Sequence, residues 1–179
     1  MTEWSVQRSH RRRAKSLARL GHTLISVGTL VVLFGIYQLV VTDTLQRSTQ
    51  TQLTTEVRRV LPSGTTPRVI GTATPLPRSI DPGEGHWVGV LSIPAIKLQQ
   101  VVVNGTTVND LRLGPGHYLG TPLPGEAGNV AIAGHRTTWG QPFRNLDHLK
   151  RGDQIVIATP RADVLYRVEW LRIVAPTDL

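Results

Sequence analysis

Residues 87–105 read WVGVLSIPAIKLQQVVVNG. Apolar residues alternate and then run continuously up to Pro94, which removes a ladder donor and ends or bulges a strand. LQQVVVNG, residues 98–105, is a second strand closed by the turn pair Asn104-Gly105. Two strands this close, parted by a proline, predict β structure built from short pieces. The same pattern continues downstream. Residues 107–129 are turn-rich, with a short helical turn expected at Val108–Leu111. NVAIAG, residues 129–134, reads as a buried strand that stops at a glycine. Phe143, Leu146 and Leu149 have helical spacing, and Lys150-Arg151-Gly152-Asp153 forms a turn. QIVIAT (154–159) and VLYRVEWLRIV (164–174) make a hairpin across Pro160–Asp163. Many short strands, Gly/Pro turns and little helix predict an all-β sandwich or barrel. The strand-rich run reaches Leu179 without a closing element, so the expected barrel is incomplete at its C-terminus.

Upstream the composition changes. Residues 62–85 are rich in Pro, Gly, Thr and Ser and read as a linker. Residues 45–61 carry scattered apolar positions and suit a short helix or stalk. Gly21–Thr42 is 22 residues without Asp, Glu, Lys or Arg. At ~1.5 Å per residue such a helix spans the ~30 Å hydrocarbon core of a bilayer. It exceeds a signal-peptide apolar region, and no Ala-x-Ala site follows, so an uncleaved anchor is expected. The net charge is +8, and six of the 20 Lys/Arg lie within residues 1–20 against the single acid Glu3. Cations clustered beside an apolar span indicate membrane topology, with the N-terminus cytoplasmic and the later residues outside. With no stacking aromatics beside it, this cluster argues against a nucleic-acid binder. The expected organisation is a basic tail (1–20), a transmembrane anchor (21–42), a stalk and linker (43–85) and a β domain (86–179).

The chemistry centres on His135. It follows the strand 129–134 and Gly134, and small polar residues flank it. A histidine at a strand end is either a satisfied structural group or an acid/base facing a cleft. His10, His22, His86, His117 and His148 show no metal-ligand spacing, and no GxSxG elbow is present. Glu126, Asp147, Asp153 and Glu169 fall in turn or strand contexts that suggest solvated surface rather than a catalytic carboxylate pair. The chain contains no cysteine, which excludes disulfides.

The segments WVGVLSIPAIKL, GPGHYLGTPLPGEAGNVAIAGHRTTWGQPFRNLDHLKRGDQIVI and YRVEWLRIVAPTDL resemble the sortases, most closely the class E group of high-GC Gram-positive bacteria. The similarity covers roughly residues 86–179. I-P-x-I, G-P-G-H-Y, G-N-x-x-I-A-G-H-R and L-x-x-G-D occur in the family's order. The resemblance implies a sortase-like β-barrel on an N-terminal membrane anchor, with no cofactor. It also implies a cysteine transpeptidase that cleaves an LPxTG- or LAxTG-like sorting signal. The product is joined to a peptidoglycan-precursor or pilin amine. Of the family's His, Cys and Arg, only the His carries over, as His135, the proton donor and acceptor. Arg136 adjoins that His and is not the family's arginine. The Cys and Arg are expected beyond Leu179, so a chain truncated before its nucleophile, and inactive as written, is the expectation. A non-catalytic extracellular module that binds sorting peptides or wall polymers is the alternative.

Overall fold

A computed structural model describes residues 3–61 and 76–175. The chain divides into two compact units, residues 1–41 and 42–179. The first consists of the opening part of helix α1 (Glu3–Val60). Within it Leu24, Ile25, Leu30, Val31 and Phe34 are all more than half exposed. An apolar surface of that extent is unfavourable in water, and the helix is long and apolar enough to cross a membrane.

The second unit holds six strands in one sheet of order β4-β3-β2-β1-β5-β6. Strand β1 (Trp87–Ile93) turns through a 3₁₀ segment, Pro94–Ile96, into β2 (Leu98–Asn104). Their antiparallel register runs from Trp87 opposite Val103 to Ile93 opposite Leu98, with a bulge between Trp87 and Gly89. Helix α2 (Val108–Leu113) follows. Thr107 caps it by accepting from the Asp110 N–H, while the Asp110 carboxylate accepts from the Thr107 N–H, a capping box. This crossover lays β3 (Gly116–His117) parallel to β2, and β4 (Ile132–Ala133) pairs antiparallel to β3. On the other side β5 (Gln154–Ala158) pairs with β1, and β6 (Asp163–Arg167) with β5. The result is a curled mixed sheet. Its core gathers Val88, Leu91, Ile93, Leu98, Val102, Ile157 and Val168 with Phe143 and Leu149 from the long β4–β5 connection.

Two expectations need correction. The strand at 129–134 contracts to Ile132–Ala133 and is only half-buried. Among the described residues only β3 pairs with it, so β4 is an edge strand of the sheet. The run 164–174 is strand only to Arg167. Beyond Val168 the chain leaves the sheet, and Trp170 (73%) and Ile173 (94%) are largely exposed.

Residues 43–60 are helical throughout and contribute Gln46, Gln50 and Val57 to the buried interior. The Gln50 amide binds both backbone groups of Val101: Nε2 donates to the carbonyl (3.1 Å), and Oε1 accepts from the N–H (2.8 Å). It sits on the edge of β2 that β3, pairing only at Val103 and Asn104, leaves uncovered. A second donation, to Leu113 O (2.8 Å), ties in the end of α2. One side chain thus serves as a residue-long piece of strand. Of the linker expected at 62–85, residues 62–75 lie outside the described residues, and residues 76–85 are tied to the sheet unit. Leu76 bridges to Glu126, the Ser79 hydroxyl donates to the Glu126 carboxylate (2.8 Å), and Asp81 accepts from Asn104 Nδ2 (2.6 Å).

Candidate functional site

His135 lies two residues beyond the edge strand β4 and is half-buried. Its backbone is held from both sides. A Cβ on Gly134 would lie 2.7 Å from the Phe143 ring, so the absence of one lets that ring close over the strand end. The Phe143 N–H donates to the His135 carbonyl (3.0 Å). On the imidazole, Nδ1 has the Thr138 hydroxyl at 3.3 Å. Among the described residues Nε2 makes no hydrogen bond. An imidazole fixed through one nitrogen and open at the other is suited to pass a proton to or from a bound group.

The loop after the histidine is equally constrained. Trp139, Gly140 and Gln141 all have positive φ, and the Gln141 N–H donates to Thr138 O (3.0 Å). The Gly140 N–H donates to the Asp43 carboxylate (3.0 Å), and a side chain at Gly140 would collide with Gln46. The first turns of α1 in this unit therefore brace the histidine loop. Arg136 is committed elsewhere: Nη2 donates to Asp147 (2.9 Å) and to Arg144 O (3.1 Å). Both partners of that ion pair are about half exposed, so it contributes little stability.

The carboxylates do not converge. Asp147 pairs with Arg136, Asp153 accepts from the Lys150 N–H in its turn (2.8 Å), and Glu169 is exposed. Glu126 is not solvated surface: its side chain is 6% exposed and accepts from Ser79 and from the Leu123 N–H. Burial raises its pKa, but the Ser79 and Leu123 donors, with Arg161 behind them, outweigh this and leave it below the usual carboxylate value.

His117 shows a role that motif reading missed. It is buried, with Nδ1 2.8 Å from Asn104 Oδ1 and Nε2 3.0 Å from both Pro122 O and the Thr121 hydroxyl. Asn104, also fully buried, donates onward to Asp81 and Gly83 O. This chain of bonds fastens the 118–131 connection, which delivers β4 and His135, to the end of β2. A separate cleft of about 360 Å³, lined in part by Trp87, Pro82, Leu123 and Arg161, does not include His135.

Residues 91–179 match the Sortase domain family. Sortase D of Bacillus subtilis (strain 168) is 28% identical over 155 residues, 87% of this chain and 76% of that protein. Sortase SrtE1 of Streptomyces coelicolor is 29% identical over 168 residues, 89% of this chain but 45% of that protein. Among solved structures, a Clostridium perfringens Sortase D5 transpeptidase superposes with a TM-score of 0.51 at 35% identity, over 54% of this chain and 61% of that one. The SrtF sortase from Corynebacterium diphtheriae gives 0.50 at 38% identity, over 59% and 52%. The chain thus spans about half to three quarters of the length of these relatives.

Proposed function

Because the chain belongs to the sortase family, we propose that residues 86–179 are the histidine-bearing part of a membrane-anchored, class E-like cysteine transpeptidase acting on LPxTG- or LAxTG-like sorting signals. In that chemistry a thiolate attacks the Thr–Gly carbonyl and forms a thioester. His135 protonates the departing glycine amine. It then takes a proton from the incoming amine of a wall precursor or pilin, which displaces the thiol. The observation that carries the assignment is the geometry of His135: braced backbone, Nδ1 beside Thr138, Nε2 open at the uncovered edge of β4. Gly21–Thr42 anchors the chain, with the basic tail cytoplasmic and the sheet unit outside.

These 179 residues include no cysteine. In this reading the thiol is supplied from outside these residues, which by themselves bind sorting peptides without cleaving them. The test uses the whole chain in detergent micelles with internally quenched LPxTG and LAxTG peptides and isotope-labelled histidine. The expected result is no cleavage, with a shift of the His135 ring resonances on peptide addition. Turnover would refute the need for an external thiol. Unmoved His135 resonances with both peptides would refute the site.

A further inference from the structure

We infer that Thr138 is a positioning residue that fixes the tautomer of His135, and that Asp43 acts through it by holding the loop that carries Thr138. The inference rests on the acid/base reading of His135 above. A histidine that exchanges its proton at Nε2 keeps a proton on Nδ1 throughout, because the imidazolium carries both and passes on only one. The group beside Nδ1 must therefore accept in both charge states. The Thr138 hydroxyl oxygen, 3.3 Å from Nδ1, has the lone pairs to do so. Among the described residues it is the one hydrogen-bonding partner of the ring. At Nε2, water or substrate can donate or accept with equal ease, so the choice of tautomer falls to Nδ1.

The hydroxyl is aimed by a loop that the chain would not adopt unaided. Trp139, Gly140 and Gln141 have φ of 50°, 71° and 49°, three consecutive left-handed residues of which two carry side chains. Such backbone is costly outside glycine and persists where its surroundings hold it. Three elements do so. From α1, the Asp43 carboxylate accepts the Gly140 N–H (3.0 Å), and Gln46 fills the space that a Cβ on Gly140 would need. From α2, the Arg112 guanidinium lies 5.1 Å from the Trp139 ring centroid. From the β4–β5 connection, Arg144 Nη1 donates to Gln141 Oε1 (2.7 Å), while the Gln141 N–H closes the turn on Thr138 O (3.0 Å). Among the described residues, Asp43 is the side chain that hydrogen-bonds the backbone of this loop, two residues from Thr138. Its loss should let the hydroxyl drift from Nδ1.

The test reads the tautomer of neutral His135. A free histidine side chain in water favours the Nε2–H form, so an accepting oxygen at Nδ1 must shift the balance towards Nδ1–H. The whole chain in detergent micelles, with isotope-labelled histidine, is measured by nitrogen resonance at about pH 9, above the ordinary imidazole range. The His135 signals are assigned by their loss in His135→Gln. One net hydrogen bond changes a two-state ratio by roughly two- to tenfold. Thr138→Val keeps the side-chain shape and removes the oxygen, and should move the His135 ratio towards Nε2–H by about that factor. Thr138→Ser should hold it near the native value. Asp43→Ala should move it the same way by a smaller factor, and Asp43→Asn, whose Oδ1 still accepts the Gly140 N–H, should restore it. An unchanged ratio in Thr138→Val, a shift towards Nδ1–H, or a Thr138→Ser that behaves like Thr138→Val overturns the inference. A native ratio in Asp43→Ala overturns the part assigned to Asp43. Sorting peptides added to the same samples separate the two readings. Native His135 resonances unmoved by LPxTG and LAxTG peptides refute the acid/base reading and this inference with it. Resonances that move, with a tautomer indifferent to Thr138, refute this inference alone.

Discussion

Replacing Gln50 by leucine tests whether a helix side chain completes the sheet. The substitution keeps the volume and apolar contacts of the site but removes three hydrogen bonds, two to Val101 and one to Leu113 O. Val101 is 0% exposed, so water does not replace the amide. Leaving a buried N–H and a buried carbonyl without partners costs about 1–3 kcal/mol each. Leucine burial returns about 1–2 kcal/mol. From the middle of those ranges the net loss is about 2–3 kcal/mol, a large share of the ~5–15 kcal/mol that stabilises a typical domain. Urea unfolding of the whole chain in micelles, followed by near-ultraviolet circular dichroism, reads it directly. With a slope of about 1–3 kcal/mol/M, the midpoint should fall by roughly 1–2 M at unchanged slope. Gln50→Glu should rescue nothing at neutral pH, because a carboxylate accepts from Val101 N–H but faces two carbonyl oxygens. A loss below about 0.5 kcal/mol for Gln50→Leu would show that Val101 finds other partners, and the strand-substitute argument would fall.

Gly134→Ala should cost about 1–3 kcal/mol, because the new methyl meets the Phe143 ring at 2.7 Å, and should shift the His135 ring resonances even where the fold survives. A destabilised variant with unmoved His135 signals would separate that packing from the site. Asn104→Leu removes the donor to Asp81 and Gly83 and the acceptor beside His117, and a loss of about 2–4 kcal/mol in the same unfolding assay is expected. Glu126, with its pKa held below 4.5, stabilises the fold above the unfolded carboxylate value. That contribution is lost as pH falls through the lower folded value. Protection of the Leu76 and Ser79 amides, their exchange rates taken relative to the intrinsic rates at each pH, should therefore fall as pH drops below the ordinary carboxylate value, and Glu126→Gln should flatten that dependence.

Elements whose stability is local could be read from the text of the chain. Strands β1 and β2 show as apolar runs split by Pro94, α2 as Thr107 followed by Asp110, and the β5–β6 hairpin as two runs around Pro160–Asp163. His135 stood out because Gly134 and small polar residues end an apolar run. Elements that exist only through distant partners were hidden. Strands β3 and β4 are two residues each; β3 takes its conformation from β2 across the α2 crossover, and β4 takes its own from β3. Trp170 and Ile173 keep the strand pattern, yet the sheet beside them ends at β6. The most instructive omission is the helix face of Gln46, Gln50, Leu53 and Val57. Its spacing is that of an amphipathic helix, but two of its four positions are glutamine, so a search for apolar periodicity passes over it. The brace from Asp43 to the histidine loop joins residues 97 apart and leaves no local trace.

These hidden contacts share a physical purpose. A sheet of two- to seven-residue strands has little ladder to hold its outer members, and a chain without cysteine has no disulfide to fasten them. Hydrophobic burial is non-directional and does not by itself specify where a two-residue strand must lie. Hydrogen bonds to buried polar groups do, because any other register leaves a desolvated donor or acceptor unpaired. At one end of the β1–β2 hairpin the buried Asn104 and His117, with the exposed Asp81, form such a set; along β2 and the histidine loop the buried Gln46 and Gln50, with the half-buried Asp43, form the other. No buried side-chain nitrogen or oxygen is left unpaired among the described residues. Both sets converge on what places His135: one fastens the connection that enters β4, the other the loop that leaves it. Their loss should therefore loosen the histidine before it unfolds the sheet, and a variant such as Asn104→Leu should broaden the His135 resonances at denaturant concentrations where β1 and β2 remain protected from exchange.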